Sequence, residues 1–196
     1  MNSKDMQKIL LIGDSISIGY APHVRQTLVG KLQVVHNEGN ADDSRNILAN
    51  LDAYLAANKD AAVIHLNCGL HDIKRLDGRD SQQVPIDEYS RNIRQIIKKL
   101  IDQGKQVIWA LTTPVADTIH NCVKDFRRFE SDVLAYNAVA ADIASEAGLV
   151  VNDLHSAVIA AGIAQCLDED GVHMTEEGYR ACGEAVAKAI SQNQTN

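Results

Sequence analysis

Ile9-Leu10-Leu11-Ile12-Gly13-Asp14-Ser15-Ile16-Ser17 is an apolar run that stops abruptly in a glycine, a carboxylate and two hydroxyls. Consecutive apolar residues without alternation suit a central parallel strand covered on both faces, and Gly13 lets the backbone turn where the strand runs out. Ser15 then stands at the carboxyl end of that strand, the edge of an open parallel sheet at which ligands bind, as a candidate nucleophile or anion ligand. Taken alone, the same residues read more plainly as a cap on the next helix. Partners elsewhere in the chain have to decide between the two.

Outward from that strand the chain alternates strands and helices. Ile16 to Ala21 leads to Pro22, whose fixed φ and missing N–H suit the first position of a helix ending near Leu28. Residues 32–35 predict a second strand, which runs into a polar loop from His36 to Ser44; Leu48, Leu51 and Leu55 then recur at helical spacing. Residues 61–66 predict a third strand, opening into Asn67-Cys68-Gly69-Leu70-His71-Asp72. A polar segment over residues 74–85 precedes a helix over 86–103, with Ile93, Ile96, Ile97 and Leu100 on one face. A fourth strand is expected over 106–111, and residues 115–124, without any clear period, are a candidate for shaping a binding site. Residues 125–147 have helical spacing, 149–151 a short fifth strand, 154–161 a small helix, and Thr175 caps a last helix with Glu176 and Glu177 in its first turn. Five strands alternating with helices predict an α/β fold, a three-layer α/β/α sandwich around a five-stranded parallel sheet.

The chain has 196 residues, 45% hydrophobic and 23% charged, which suits a single domain over residues 1–196. Its net charge of -7, with no basic stripe, argues against nucleic acid and anionic membrane surfaces as partners. The polar start from Met1 to Met6 passes directly into the first strand, so neither a signal peptide nor a membrane span is expected; this points to the cytoplasm, unless a secretory leader has been removed. Cysteines at 68, 122, 166 and 182 form no C-x-x-C pair and fit reduced thiols better than a disulfide framework or a zinc site. His36 and His65 read as hydrogen-bonded strand histidines, and His23, His120 and His155 as exposed or partly exposed ones. Asn137, inside a helix, either hydrogen-bonds across to a loop or faces solvent.

Asp170 and His173 lie three apart in a turn just before the last helix, close enough for the carboxylate to accept from one ring N–H and leave the other nitrogen free to take a proton. Alone, this pair is an ordinary surface feature. Together with Gly13-Asp14-Ser15 it resembles the two end blocks of the SGNH hydrolases, the GDSL esterases and lipases. Between those blocks the family usually has Asn-x-Gly-x-x-Gly-x-Thr, where this chain has Asn37, Gly39, Asp42 and Ser44, and Gly-x-Asn-Asp, where it has Gly69-Leu70-His71-Asp72. The resemblance implies a flavodoxin-like strand order and a serine esterase without cofactor or metal. Ser15 is the implied nucleophile, His173 the base and Asp170 the group that orients it. The implied oxyanion hole is made by the N–H groups of Ser15 and Asp42 and the side chain of His71.

Two positions depart from the family pattern, and both belong to that oxyanion hole. Asp42 replaces a glycine; its N–H remains available, and its carboxylate is expected to point away, toward Arg45 or lysines that the sequence does not identify, because a negative charge aimed at a developing oxyanion raises the barrier. His71 replaces an asparagine, and an imidazole with an N–H inward conserves the donor. The expected substrate is a small ester with a short acyl group, such as an acetylated saccharide. One rival is a non-catalytic protein of this fold that binds a sugar or another polar ligand. Another is a metal-dependent hydrolase using Asp14, His71, Asp72 and His173. A phosphate or dinucleotide site is disfavoured, since neither glycine-rich phosphate motif follows the first strand.

Overall fold

Ile9, Leu10, Leu11 and Ile12 are completely buried, because β1 (Lys8–Ile12) lies inside a sheet covered on both faces. The computed structural model describes residues 6–76 and 78–193, so the start at residues 1–5 lies outside the described residues. After β1 come α1 (Ser15–Thr27), β2 (Gln33–His36), α2 (Ser44–Ala57), β3 (Ala61–Asn67), β4 (Arg75–Leu76) and α3 (Ile86–Asp102). The second half runs through β5 (Gln106–Ala110), α4 (Asp117–Val123), β6 (Phe126–Arg127), α5 (Glu130–Glu146), β7 (Val150–Asn152), α6 (Leu154–Ala161), α7 (Ile163–Cys166) and α8 (Glu176–Asn193). The main sheet has the order β2-β1-β3-β5-β7, with every neighbouring pair parallel. Helices α1 and α6 both pack on α8, and α2 and α5 both pack on α3, and the expected α/β/α layering with flavodoxin-like order results. Each fully buried Ile or Leu of β1 contributes roughly 1.5–3 kcal/mol by leaving water.

The helix that carries Ser15 begins earlier than its proline suggests. Asp14 accepts the Ile16 N–H at 3.0 Å and so caps α1, and Ile16, Tyr20 and Val24 repeat every four residues on its buried face. Pro22 therefore lies inside the helix rather than at its start. It forgoes one intrahelical bond, and the cap and the buried face outweigh that loss. Helix α1 also meets α8 closely. A Cβ on Gly19 would fall 2.0 Å from the Tyr179 ring, and one on Gly183 would fall 2.4 Å from the His23 Cβ. Glycines at both points let the helix that starts at Ser15 approach the helix that follows His173.

Two segments differ from the expectations drawn from periodicity. Residues 115–124 contain a helix, α4, whose approach is tied to the chain's last turn: the Ala116 N–H donates to the Gly171 carbonyl at 2.8 Å. The helical spacing expected from residue 125 begins only at Glu130, because Phe126 and Arg127 pair antiparallel with Leu76 and Arg75 in a separate two-stranded sheet. Both differences arise from contacts distant in sequence, which periodicity does not register. Asn137 takes the first of its two expected roles: its Oδ1 accepts the Thr112 N–H at 2.8 Å and its Nδ2 donates to the Thr112 carbonyl at 2.9 Å, fixing the loop after β5.

Asn137→Ala leaves both Thr112 backbone groups without a partner in a buried position. It should destabilise the protein by about 1–3 kcal/mol, read as a lower urea midpoint at unchanged slope. An unchanged midpoint would show that the loop does not need this clamp.

Candidate active site

β1 and β3 are neighbours, and the chain leaves β1 toward β2 on one side while β3 and β5 continue on the other. Such a reversal opens a crevice at the carboxyl ends of the two strands, between Gly13-Asp14-Ser15 and Gly69-Leu70-His71. Both readings of the first block hold together: Asp14 is the helix cap, and Ser15, the first residue of α1, remains free for other contacts. Helix geometry leaves the Ser15 N–H without an intrahelical acceptor, at the positive end of a thirteen-residue helix.

The structure brings Ser15, His173 and Asp170 together. Ser15 Oγ lies 3.0 Å from His173 Nε2, across 158 residues of sequence. On the far side of the ring, His173 Nδ1 lies 2.7 Å from Asp170 Oδ2. With Nδ1–H donating to Asp170, Nε2 carries the lone pair and accepts from the serine hydroxyl, the arrangement needed to deprotonate Ser15. Asp170 Oδ1 accepts the N–H groups of Val172 and His173, at 3.0 and 2.8 Å, which fixes the carboxylate. Burial pushes the Asp170 carboxyl up, but the His173 ring, these two backbone bonds and Lys124 outweigh it and hold it well below the usual carboxylate range.

A layer behind this turn was hidden from sequence reasoning. His120, expected to be exposed or partly exposed, is fully buried: its Nδ1 donates to the Asp170 carbonyl at 3.0 Å and its Nε2 accepts from Arg128 Nη1 at 3.3 Å. Arg128 is itself 5% exposed and donates from Nε to the Leu70 carbonyl at 2.6 Å, linking the turn after β3 to the Asp170 turn through His120. Gly171 allows the close approach at φ +71, where a Cβ would lie 2.8 Å from the Ala116 carbonyl oxygen.

The two departures from the family pattern meet each other. Asp42 does not turn toward Arg45, which pairs instead with Glu88; Asp42 Oδ1 contacts His71 Nδ1. Lys74 Nζ approaches the same nitrogen at 2.8 Å. Burial lowers the His71 pKa, favouring the neutral ring, whose single N–H the two neighbours contest. If Nδ1 accepts from Lys74, then Nε2 carries the proton and can donate; if Nδ1 donates to Asp42, Nε2 is left as an acceptor. Asp42 has φ 56, the one non-glycine positive φ among the described residues, which accounts for a glycine suiting that place. Its N–H, expected to face an oxyanion, donates to Asn40 Oδ1 at 2.8 Å. Asp72 accepts from the Ser44 N–H and hydroxyl and joins the start of α2 to the β3 turn, and burial lifts its carboxyl to about 7. With Asp14 capping α1 and Asp72 holding Ser44, the four residues weighed as metal ligands are not gathered; the described residues contain no cluster of three or more metal-ligating side chains. His65 is an ordinary core histidine, accepting from Asn152 Nδ2 and pushed down to about 3 by burial.

Ser15, His71, His173 and Asp170 line one cleft of about 240 Å³, together with Asn40, Leu70, Lys74, Lys124, Phe126, Arg128 and Val172. Residues 115–124 contribute Lys124, as expected of a site-shaping segment. Lys74 and Arg128 carried no signal in the sequence, since only the folded chain brings them beside Ser15.

The sequence matches the GDSL-like lipase/acylhydrolase family over residues 11–181, which include both end blocks and the strands between them. The chain belongs to this family. Like its other members, this GDSL-family protein is an ester hydrolase of the carboxylic ester class. Its fold is similar to that of a lipase/acylhydrolase from Enterococcus faecalis, with TM-score 0.82, 20% identity, and coverage of 96% of this chain and 97% of that one. It is also similar to an acetylxylan esterase from Geobacillus stearothermophilus, with TM-score 0.76, 20% identity and 94% coverage of each chain. A GDSL-like lipase from Bacteroides thetaiotaomicron matches with TM-score 0.73 at 16% identity, over 97% of this chain and 90% of that one. A comparison with the curated proteins returned no match. No helix among the described residues of this hydrolase is long and apolar enough to cross a membrane.

A folded-state pKa below the unfolded one means that the Asp170 carboxylate contributes stability above about pH 4, a contribution lost as pH falls through the folded value. Asp170→Asn removes that contribution. Urea midpoints of the two proteins should therefore differ most near neutral pH and converge in acid; a constant difference from neutral pH to pH 3 would contradict the clamp by His173 and Lys124.

Proposed function

We propose that the protein hydrolyses small, short-chain acyl esters through an acyl-enzyme on Ser15, with His173 as general base and acid and Asp170 as the group that orients it. The observation that carries the reading is the unbroken line from Ser15 Oγ through the His173 ring to Asp170, at 3.0 and 2.7 Å, on the wall of a cleft. His173 Nε2 takes the serine proton as Oγ attacks the ester carbonyl, and Asp170 stabilises the imidazolium. The tetrahedral oxyanion meets the Ser15 N–H at the start of α1 and the Nε2–H of His71, while Asp42 supplies its N–H when Asn40 lets go. His173 then returns the proton to the leaving alcohol, and water, deprotonated by the same ring, releases the acid.

The cleft volume of about 240 Å³ supports a short acyl group and a compact alcohol. The acetylxylan esterase neighbour makes an acetylated saccharide one candidate of that size. Four free cysteines support a reducing, cytoplasmic setting.

Ser15→Ala should abolish hydrolysis of nitrophenyl acetate while the melting temperature stays nearly constant; turnover comparable to wild type would remove Ser15 as nucleophile. His71→Ala should lower kcat by about 10²–10³ with KM little changed, and His71→Asn should recover part of the loss. An alanine variant within a few-fold of wild type would exclude His71 as an oxyanion donor. Asp42→Gly withdraws the carboxylate that competes for His71 Nδ1, so kcat should rise; a fall would mean that Asp42 holds the ring productively.

A further inference from the structure

We propose that the cleft selects esters that carry a carboxylate close to the scissile bond, an inference that rests on the ester-hydrolase reading of Ser15. The chain as a whole has a net charge of -7, yet cations predominate on the cleft wall: Lys74, Lys124 and Arg128 line it with the one lining carboxylate of Asp170, and Asp42 stands behind His71. Lys124 is answered, since its Nζ lies 3.2 Å from Asp170 Oδ2. The other two cations have no direct ion pair: among the described residues neither Lys74 nor Arg128 is within ion-pair distance of a carboxylate, although Asp42 meets the same His71 nitrogen as Lys74. Arg128 binds a carbonyl and an imidazole, Lys74 binds an imidazole, and both lie against the Phe126 ring, at 4.9 and 5.3 Å from its centre.

A guanidinium buried to 5% exposure whose hydrogen-bond partners are all neutral is costly to keep charged even with Asp14, Asp170 and Asp42 nearby, and fixed donors left over beside a reactive serine are what an anionic ligand would complete. Arg128 Nη2 has no partner among the described residues, and Lys74 is a three-donor point charge with one acceptor in place. A single negative charge fits better than a double one, because Asp170 borders the same cleft, Asp42 stands against His71, and both would repel a dianion. The compact volume asks for a small acid rather than a charged polymer segment.

The test compares 3-acetoxybenzoate with 3-acetoxybenzamide, which share the acetyl group and differ in one charge. Wild type should favour the benzoate by about 10- to 100-fold in kcat/KM, the range of a desolvated charge-assisted contact. Benzoate should inhibit nitrophenyl acetate hydrolysis competitively, and benzamide should not. In Lys74→Met and in Arg128→Gln the preference ratio should collapse toward one; a merely structural role would lower both esters alike and leave the ratio intact. Should Arg128→Gln fail to fold, Lys74→Met alone decides. Equal kcat/KM for both esters in wild type overturns the carboxylate preference and leaves the esterase standing, whereas hydrolysis of neither overturns the esterase reading and the inference with it.

Discussion

The parallel pairing of β1 with β3 is the constraint on which the rest depends. Leu11 stands opposite His65 and Ile12 opposite Leu66, so the two strands run out side by side and release their next residues into one crevice. Both strands are buried on both faces, so no alternating pattern fixes this register; the paired residues, from Ile9 with Val63 to Ile12 with Leu66, hold it. The turn after β3 is then fastened from three directions: Tyr89 holds the Cys68 carbonyl, Arg128 the Leu70 carbonyl, and Val84 the Asp72 carbonyl. What faces Ser15 is therefore positioned by backbone bonds before any side-chain chemistry is considered.

Much of this was legible in the sequence because the signals were local. Apolar runs marked β1, β5 and, despite His65, β3, glycines followed the first and third of the main-sheet runs, and Asp170 and His173 lie near enough in the chain to be read as a pair. Residues that depend on chain closure were not legible. Nothing in the order Lys124-Asp125-Phe126-Arg127-Arg128 distinguishes the arginine that enters the interior from the one that stays at the surface. The apolar residues of α4 misdirect, since Ile119, Cys122 and Val123 stay exposed; His120 is the residue buried, because the helix docks on the Asp170-Gly171 turn. Pro22 misled for the opposite reason, since a strong local preference was outvoted by the cap at Asp14 and the stripe of Ile16, Tyr20 and Val24.

Asp42 and His71 read in sequence as two separate substitutions, and in the fold they form one unit. The left-handed backbone at Asp42 brings its carboxylate to the ring of His71, while Lys74 comes to the same nitrogen. Burial keeps the His71 ring neutral, and which of its nitrogens carries the proton is thus contested by two opposite charges at Nδ1. A glycine and an asparagine in these places would need no such balance, because an amide has a fixed donor end.

The 158 residues that separate Ser15 from His173 join almost the two ends of the described chain. Bringing them together closes a loop containing β2, β3, β5 and β7, the four strands of the main sheet other than β1, and no smaller part of the chain holds both partners. Under the proposed mechanism, chemical competence is therefore a property of the completed chain: a fragment, a nascent polypeptide or a chain with its sheet half built has no His173 beside Ser15. The proposed pair cannot assemble before that long-range closure, so topology alone withholds it from incompletely folded copies.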